Sequence, residues 1–512
     1  MNNKFYAVIL RLKLPFFMFA GSIAAYYGFA PFYVAGNAAR VLLPAALSLT
    51  VIISLLGVVD LLHIPGINGR AFKKAFIACA FFTAGFALGI ACRGAANRSY
   101  YFFPGLETNN ITAVSGKLLD DPRNTASGRG MALLKLKTSH GKKGIRASAR
   151  GKVMVFFPEG SIPRLKEFGR GSEIYIEGNF IKTDASSYSK TPLFRAKSVH
   201  VTHPASNFEQ WRTRIRLALI DAFSPSDSKK DWGGLALALL LGIRDNLDSE
   251  LSEQYRNAGC SYILALSGMH LAIVSSIIAF FLKKPLGLKL AAFVGIIFIL
   301  LYVFLVGAQP SLTRAAIMYV LGAAAIIGAL SVNPALLLGF SFMIQIFFQP
   351  DSGDTVSFIL SYLALAGILS LGQMIAVVFR GYIPEFAASP LSASLGAFLG
   401  TMAVSILFFG SLRPIGIAAG LIMVPLTTIF MIGAMIYLAL YIVFPPLASL
   451  LGYGMDLIYA ALEQIAAISG HFPEVASPNV LFGVSISIIL PVLTLFLCKI
   501  IHKKRIYLGK FA

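Results

Sequence analysis

Ser267, Gly268 and His270 stand together at the head of an apolar run that begins near residue 260 and ends at Lys283 and Lys284. A run of about 20 apolar residues spans a bilayer. Hydroxyl and imidazole groups at its head are costly in lipid unless they face protein or water. Two roles are open: these residues line a wet path, or His270 is a packing residue between helices and Gly268 a close-contact point. Arg314 poses the same choice at the head of another apolar segment. It contacts phosphate in a pore, or its head group snorkels to the interface. Enzyme chemistry has no comparable support. The chain contains no G-x-x-x-x-G-K-[ST], no H-x-H-x-D-H and no H-E-x-x-H, and no Ser/His/Asp set is readable from spacing. His200 and His203 have no third ligand nearby, and Cys79, Cys92, Cys260 and Cys498 form no C-x-x-C pair. No catalytic residue, metal or cofactor is expected.

A second group of residues has a different chemistry. Between Pro122 and Pro158 there are nine basic residues and no acid: Arg123, Arg129, Lys135, Lys137, Lys142, Lys143, Arg146, Arg150 and Lys152. Such a stretch can track a phosphate backbone. An anionic lipid surface is the alternative partner. Stacking rings are sparse: Phe156 and Phe157 are adjacent, so at most one faces a groove.

The elements that must position these residues follow from composition. Of 512 residues, 57% are hydrophobic and 13% charged, and the formal charge is +21. Mean hydropathy is +0.74. These values predict a polytopic α-helical membrane protein with an anionic partner. Apolar segments near 14–35, 41–62 and 71–92 open the chain. Lys4, Arg11 and Lys13, then Arg70, Lys73 and Lys74, place its start and the 63–74 loop in the cytoplasm. Residues 93–204 then read as an extracytoplasmic small β domain. Apolar alternation recurs in Ile111–Val114, Ala132–Leu136, Val153–Phe157, Ile174–Ile176 and Ala196–Val201, separated by turn residues. Residues 93–210 hold 19 Lys and Arg against 9 Asp and Glu, a net of +10.

Residues 205–230 read as an amphipathic interfacial helix and linker. Phe208, Trp211, Ile215, Leu219 and Ala222 form its apolar stripe; Arg212, Arg214 and Arg216 lie off it. Residues 231–502 form a second membrane region, followed by a basic tail at 503–512. Its apolar segments fall near 260–282, 286–307, 313–332, 334–349, 355–378, 390–410, 416–444 and 480–501, with an interfacial segment at 447–471. The 334–349 piece is short and Pro425 interrupts 416–444. Small-residue pairs Gly85/Gly89, Gly396/Gly400 and Gly416/Gly420 permit close helix packing. Asp351 and Asp354 read as a solvated turn between spans.

The block Ala258-Gly259-Cys260-Ser261-Tyr262-Ile263-Leu264-Ala265-Leu266-Ser267-Gly268-Met269-His270 resembles the signature of the ComEC competence family. Leu240-Leu241-Gly242-Ile243-Arg244-Asp245, Pro310-Ser311-Leu312-Thr313-Arg314-Ala315-Ala316, Phe358-Ile359-Leu360-Ser361-Tyr362-Leu363-Ala364 and Val424-Pro425-Leu426 resemble its other blocks, in order. The resemblance runs from about 20 to 500. It implies an inner-membrane channel for single-stranded DNA during natural transformation, with an outer OB-like domain and interfacial helix that receive DNA. It also implies membrane lipids, an outer DNA receptor and a cytoplasmic helicase or single-strand binder as partners. Tyr262, Ile243 and Gln349 depart from the family pattern. The metallo-β-lactamase-like nuclease domain of many relatives is expected to be absent, so strand degradation would need a separate nuclease. A transporter or lipid-handling protein of the same fold is the alternative.

Overall fold

A computed structural model describes residues 14–28, 69–99, 102–124, 129–158, 169–181, 191–223, 232–331, 333–380 and 382–476, with short helical pieces between 483 and 496. The expected span at 41–62, the linker at 224–231, half of 480–501 and the basic tail lie outside these residues, as does the first half of the 63–74 loop, whose second half is the start of a helix. The protein is mostly helical with a β domain in its N-terminal half. It divides into two units: Met1–Thr213 with Gly339–Gly353, and Arg214–Leu338 with Asp354–Ala512.

In the first unit, α1 (Leu14–Gly28) packs on α2 (Gly69–Ser99). A side chain at Gly89 would stand 2.7 Å from Ala25 Cβ, so the Gly85/Gly89 pair acts here as a close-packing surface. The Tyr27 hydroxyl donates to the Gly353 carbonyl at 2.9 Å, and that of Tyr26 donates to the Pro350 carbonyl.

Five longer strands form the β domain: β1 (Ile111–Leu118), β2 (Gly130–Gly141), β3 (Lys152–Phe157), β4 (Glu173–Ile181) and β5 (Leu193–His203). Each contains one of the five alternating runs. β1 pairs with both β2 and β4, β4 with β5, β5 with β3, and β3 with β2, so the sheet closes on itself. Only β3 and β5 are parallel among these pairs. Bulges in β1 and between β4 and β5 increase the local twist that closure requires. Alternation sends Val114, Leu134, Val153, Val155, Ile174, Ile176 and Phe194 inward, where they form the domain's core.

α3 (Asn207–Phe223) follows. Its first half reverses the expected polarity. Arg212 is 1% exposed and its guanidinium donates to both carboxylate oxygens of Asp121, at 3.0 and 2.6 Å. Glu209 accepts from Arg170 at 2.7 Å. Phe208 and Trp211 are instead 56% and 52% exposed, with stacked rings 6.1 Å apart. Periodicity found the helix, but a paired arginine can be buried where an apolar stripe is not, and no local pattern carries that pairing. Arg212→Met is expected to destabilise the β domain by about 3 kcal/mol, because it strands a partly buried carboxylate. Denaturant unfolding of a fragment spanning 102–223 measures this. The double change with Asp121→Asn should recover part of the loss.

The second unit holds five helices long and apolar enough to cross a membrane, among the described residues. These are Gly268–Val306, Pro310–Ile327, Val356–Phe379, Glu385–Phe409 and Ile415–Val443. Helix α4 (Trp232–Leu241) is wholly buried, its Trp232 ring against Tyr437 and Phe430 at 4.9 and 6.3 Å. α5 (Ser249–Asn257) is capped by Asp248, which accepts from Glu250 N–H at 3.0 Å. α6 (Gly268–Val306) contains Pro285 and a non-helical Gly287 at φ 73°, which separates the two apolar segments read at 260–282 and 286–307. α7 is Pro310–Ile327, and α8 (Pro334–Phe348) is short, as its sequence indicates. In α9 (Val356–Phe379), Gly367 and Gly372 cross Gly396 and Gly400 of α10 (Glu385–Phe409). A π turn, Ile368–Gly372, lies at that crossing. α11 (Ile415–Val443) continues through Pro425, and α12 is Pro445–Gly470.

Candidate functional site: a helix break and a basic barrel face

The segment read as one span from 260 is broken. Gly259 has φ 71°, Ser261–Leu264 makes a single turn, Ala265 and Ser267 are extended, and α6 begins only at Gly268. Backbone freed from a helix needs other partners. Arg244 Nη2 donates to the Leu264 carbonyl at 2.9 Å, and the Ser311 hydroxyl donates to the Leu266 carbonyl. Glycine packing holds the turn: a side chain at Gly416 of α11 would stand 3.2 Å from Gly259 Cα, and one at Gly420 would strike the Tyr262 hydroxyl. The apolar run hid this break because its polar partners lie in distant blocks, at 244 and 311.

Ser267 and His270 close the break as a reciprocal cap. The Ser267 N–H donates to His270 Nδ1 at 3.0 Å, and the Ser267 hydroxyl accepts from the His270 backbone N–H. With Nδ1 accepting, the ring proton belongs on Nε2, which is buried without a partner. His270 is fully buried.

Gly268 and Arg314 meet. A Cβ on Gly268 would lie 3.2 Å from Arg314 Nη2 and 3.6 Å from Ala315 Cβ. Arg314 is 8% exposed. Its Nη1 donates to the Ser361 carbonyl and its guanidinium lies 5.7 Å from the Tyr362 ring centre. Its Nε has no partner, and it forms no ion pair with any described carboxylate. The four residues singled out at span heads thus form two pairs with distinct work. One pair shapes the backbone; the other is a buried cation over bare glycine.

The barrel's basic residues also separate. Arg129, Lys135, Lys137, Lys142, Arg146 and Arg150 are exposed. Lys152 is half-buried and ion-paired with Asp351, in the turn read as solvated. The Lys143 side chain is outside the described set. Lys137 pairs with Glu173, and that hydrogen bond holds the Glu173 carboxyl below the usual carboxylate range. Phe157 is buried while Phe156 stands on the other face, opposite Met131.

One cation lies outside the acid-free stretch. Lys117 of β1 stands in register with Lys135, and Lys135 with Lys152, so three lysines line one row across adjacent strands. Like charges directly opposite are destabilising, and a row of them invites an anion. Glu173 of β4 continues it opposite Lys117, and His203 of β5 stands opposite Glu173. Lys117 was legible as an outward position of the β1 alternation, but a window defined by acid-free sequence excluded it.

Comparisons with known proteins bear on the second region most directly. The competence protein family profile matches residues 239–502, which include the break, Arg314 and the α9–α11 helices. A protein of Aquifex aeolicus (strain VF5), described only as uncharacterized, is 26% identical over 333 residues, covering 64% of this chain and 78% of its own length. ComE operon protein 3 of Bacillus subtilis (strain 168) is 27% identical over 248 residues, covering 46% of this chain and 30% of its own. The family match covers more than half of the chain: the protein belongs to the competence protein family.

Proposed function

We propose that the protein is a multi-pass channel of the bacterial inner membrane that takes up single-stranded DNA during natural transformation. The observation that carries this reading is the pairing of two features in one competence-family chain. One is a closed β barrel with a lysine row on its outer face. The other is an unwound segment at the head of an apolar helix, where Gly268 faces a buried Arg314. We read the barrel's strand circuit, with one parallel pair joining the third and last strands, as OB-like, and OB folds bind oligonucleotides. Arg129, Lys135, Lys142, Lys143, Arg146 and Arg150, with Lys117 added, capture the strand outside; Lys137 and Lys152, already paired with Glu173 and Asp351, contribute less. Ser267, Gly268, His270 and Arg314 build the conduction path, His270 by fixing its backbone.

The reading calls for no catalytic step and no cofactor. An outer DNA receptor, a cytoplasmic helicase or single-strand binder, and a separate nuclease are its natural partners.

A fragment spanning 102–223, which retains the Arg212–Asp121 pair, tests capture. It is expected to bind oligodeoxythymidylate with log affinity falling against log salt by about 0.7 per phosphate contacted. Affinity that is absent, or flat with salt, contradicts capture. The exposed Phe208–Trp211 pair favours a second reading, in which the barrel side docks on anionic lipid. Flotation with phosphatidylglycerol vesicles separates the two. Vesicle binding stronger than DNA binding at physiological salt supports the lipid-handling alternative.

A further inference from the structure

Arg314 is a buried guanidinium without a counter-ion, and its position makes the imbalance worse. Side chains of a helix tilt toward its N-terminus. An atom 3.2 Å from the Cβ position of Gly268 therefore lies beside the first turn of α6. That turn carries the positive end of the helix dipole, which disfavours a cation. The N–H of Gly268 and of Met269 have no intrahelical acceptor there, while that of His270 is taken by the Ser267 hydroxyl. Nη1 is committed to Ser361, which leaves Nε and Nη2. These two form the side-on edge of the guanidinium, the edge that grips two oxygens of one phosphate. Nearby, His270 Nε2 is a further fully buried donor without an acceptor. The donors at this end of α6 have no anion to match them.

We propose that the break ahead of α6 is an anion site that seats one phosphodiester of the strand, on the Nε–Nη2 edge of Arg314 and the free amides of Gly268 and Met269. This rests on the channel reading above and assigns it a discrete binding step. Glycine at 268 is required because a side chain would occupy the space beside Nη2. A single seat in a low-dielectric setting also orders the strand, since one phosphate must leave before the next is gripped.

The test uses the full-length protein in neutral detergent with inorganic phosphate as the probe. Sodium phosphate is expected to raise the melting temperature more than sodium chloride at equal ionic strength, because a ligand that binds only the folded state stabilises it. Arg314→Gln should lose that increment, and Arg314→Lys, which keeps the charge but not the fork, should lose most of it. Lys197→Glu, an exposed barrel position outside the lysine row, should keep it. An increment unchanged in both Arg314 variants overturns the site. Should Arg314→Gln fail to fold, Arg314→Lys and Gly268→Ala decide, each expected to weaken phosphate binding. Oligodeoxythymidylate is expected to compete with phosphate. Competition by phosphatidylglycerol and not by the oligonucleotide would make a lipid headgroup the ligand and overturn the strand assignment. DNA entry into proteoliposomes, measured alongside, keeps the two proposals apart. Entry without Arg314-dependent phosphate binding removes the site alone; phosphate binding without entry removes the channel alone.

Discussion

Gly268→Leu is expected to abolish DNA import while the protein still inserts and accumulates near its normal level. The Cβ alone would stand 3.2 Å from Arg314 Nη2, and the remaining leucine carbons must take the space the guanidinium now fills. Overpacking of this kind costs about 1–3 kcal/mol, which is too little to unfold a helical bundle with several long apolar helices. It is enough to displace Arg314 and fill the gap in front of α6. Gly268→Ala should give an intermediate loss, since a shift of Arg314 by a few tenths of an ångström relieves it. His270→Ala behaves differently. It removes only the return half of the cap, the Ser267 N–H to Nδ1 bond, at a cost of about 1 kcal/mol, and leaves a cavity in a fully buried position. Protein level and import should therefore fall together. Import of labelled DNA and membrane abundance measured in the same cells distinguish the two residues. Import that survives Gly268→Leu at normal abundance would remove the break from the path.

The second large effect belongs to the barrel. Replacing Lys117, Lys135 and Lys142 together with glutamate is expected to lower affinity for single-stranded DNA by at least about a hundredfold at low salt. The salt slope should fall by about 2, since each lost phosphate contact removes about 0.7. Lys117 and Lys135 stand opposite one another, and Lys142 is exposed just after β2. None of the three takes part in the Arg212–Asp121 pair that anchors α3. The barrel should stay folded, because all three positions point away from the core. Equal losses from glutamate at Lys137 and Lys152 would contradict the arrangement, since those two already carry Glu173 and Asp351. Binding that survives the triple change would move capture off this face.

What the sequence disclosed divides along physical lines. All five β runs and most apolar segments were legible, because alternation and span length are local properties of a chain. The short α8 was legible for the same reason. The break at Ala265–Ser267 was not: its carbonyls are satisfied by Arg244 and Ser311, and nothing within the run signals an extended backbone. His270 was weighed as a lining or a packing residue, and its role as a cap emerges only from the Ser267 geometry. The pairing of Gly268 with Arg314 spans two helices, so types and spacing selected both residues without joining them. Arg212 shows the opposite failure, a charge buried by a partner 91 positions away.

Entry of a fluorescent single-stranded oligodeoxynucleotide into proteoliposomes containing the full-length protein tests the central claim most directly. Protection of the label from an added external nuclease scores entry. The predicted result is protein-dependent protection of single strands and not of duplex DNA, lost in Gly268→Leu. Equal protection of duplex and single strands, or equal protection by wild type and Gly268→Leu, would contradict the account.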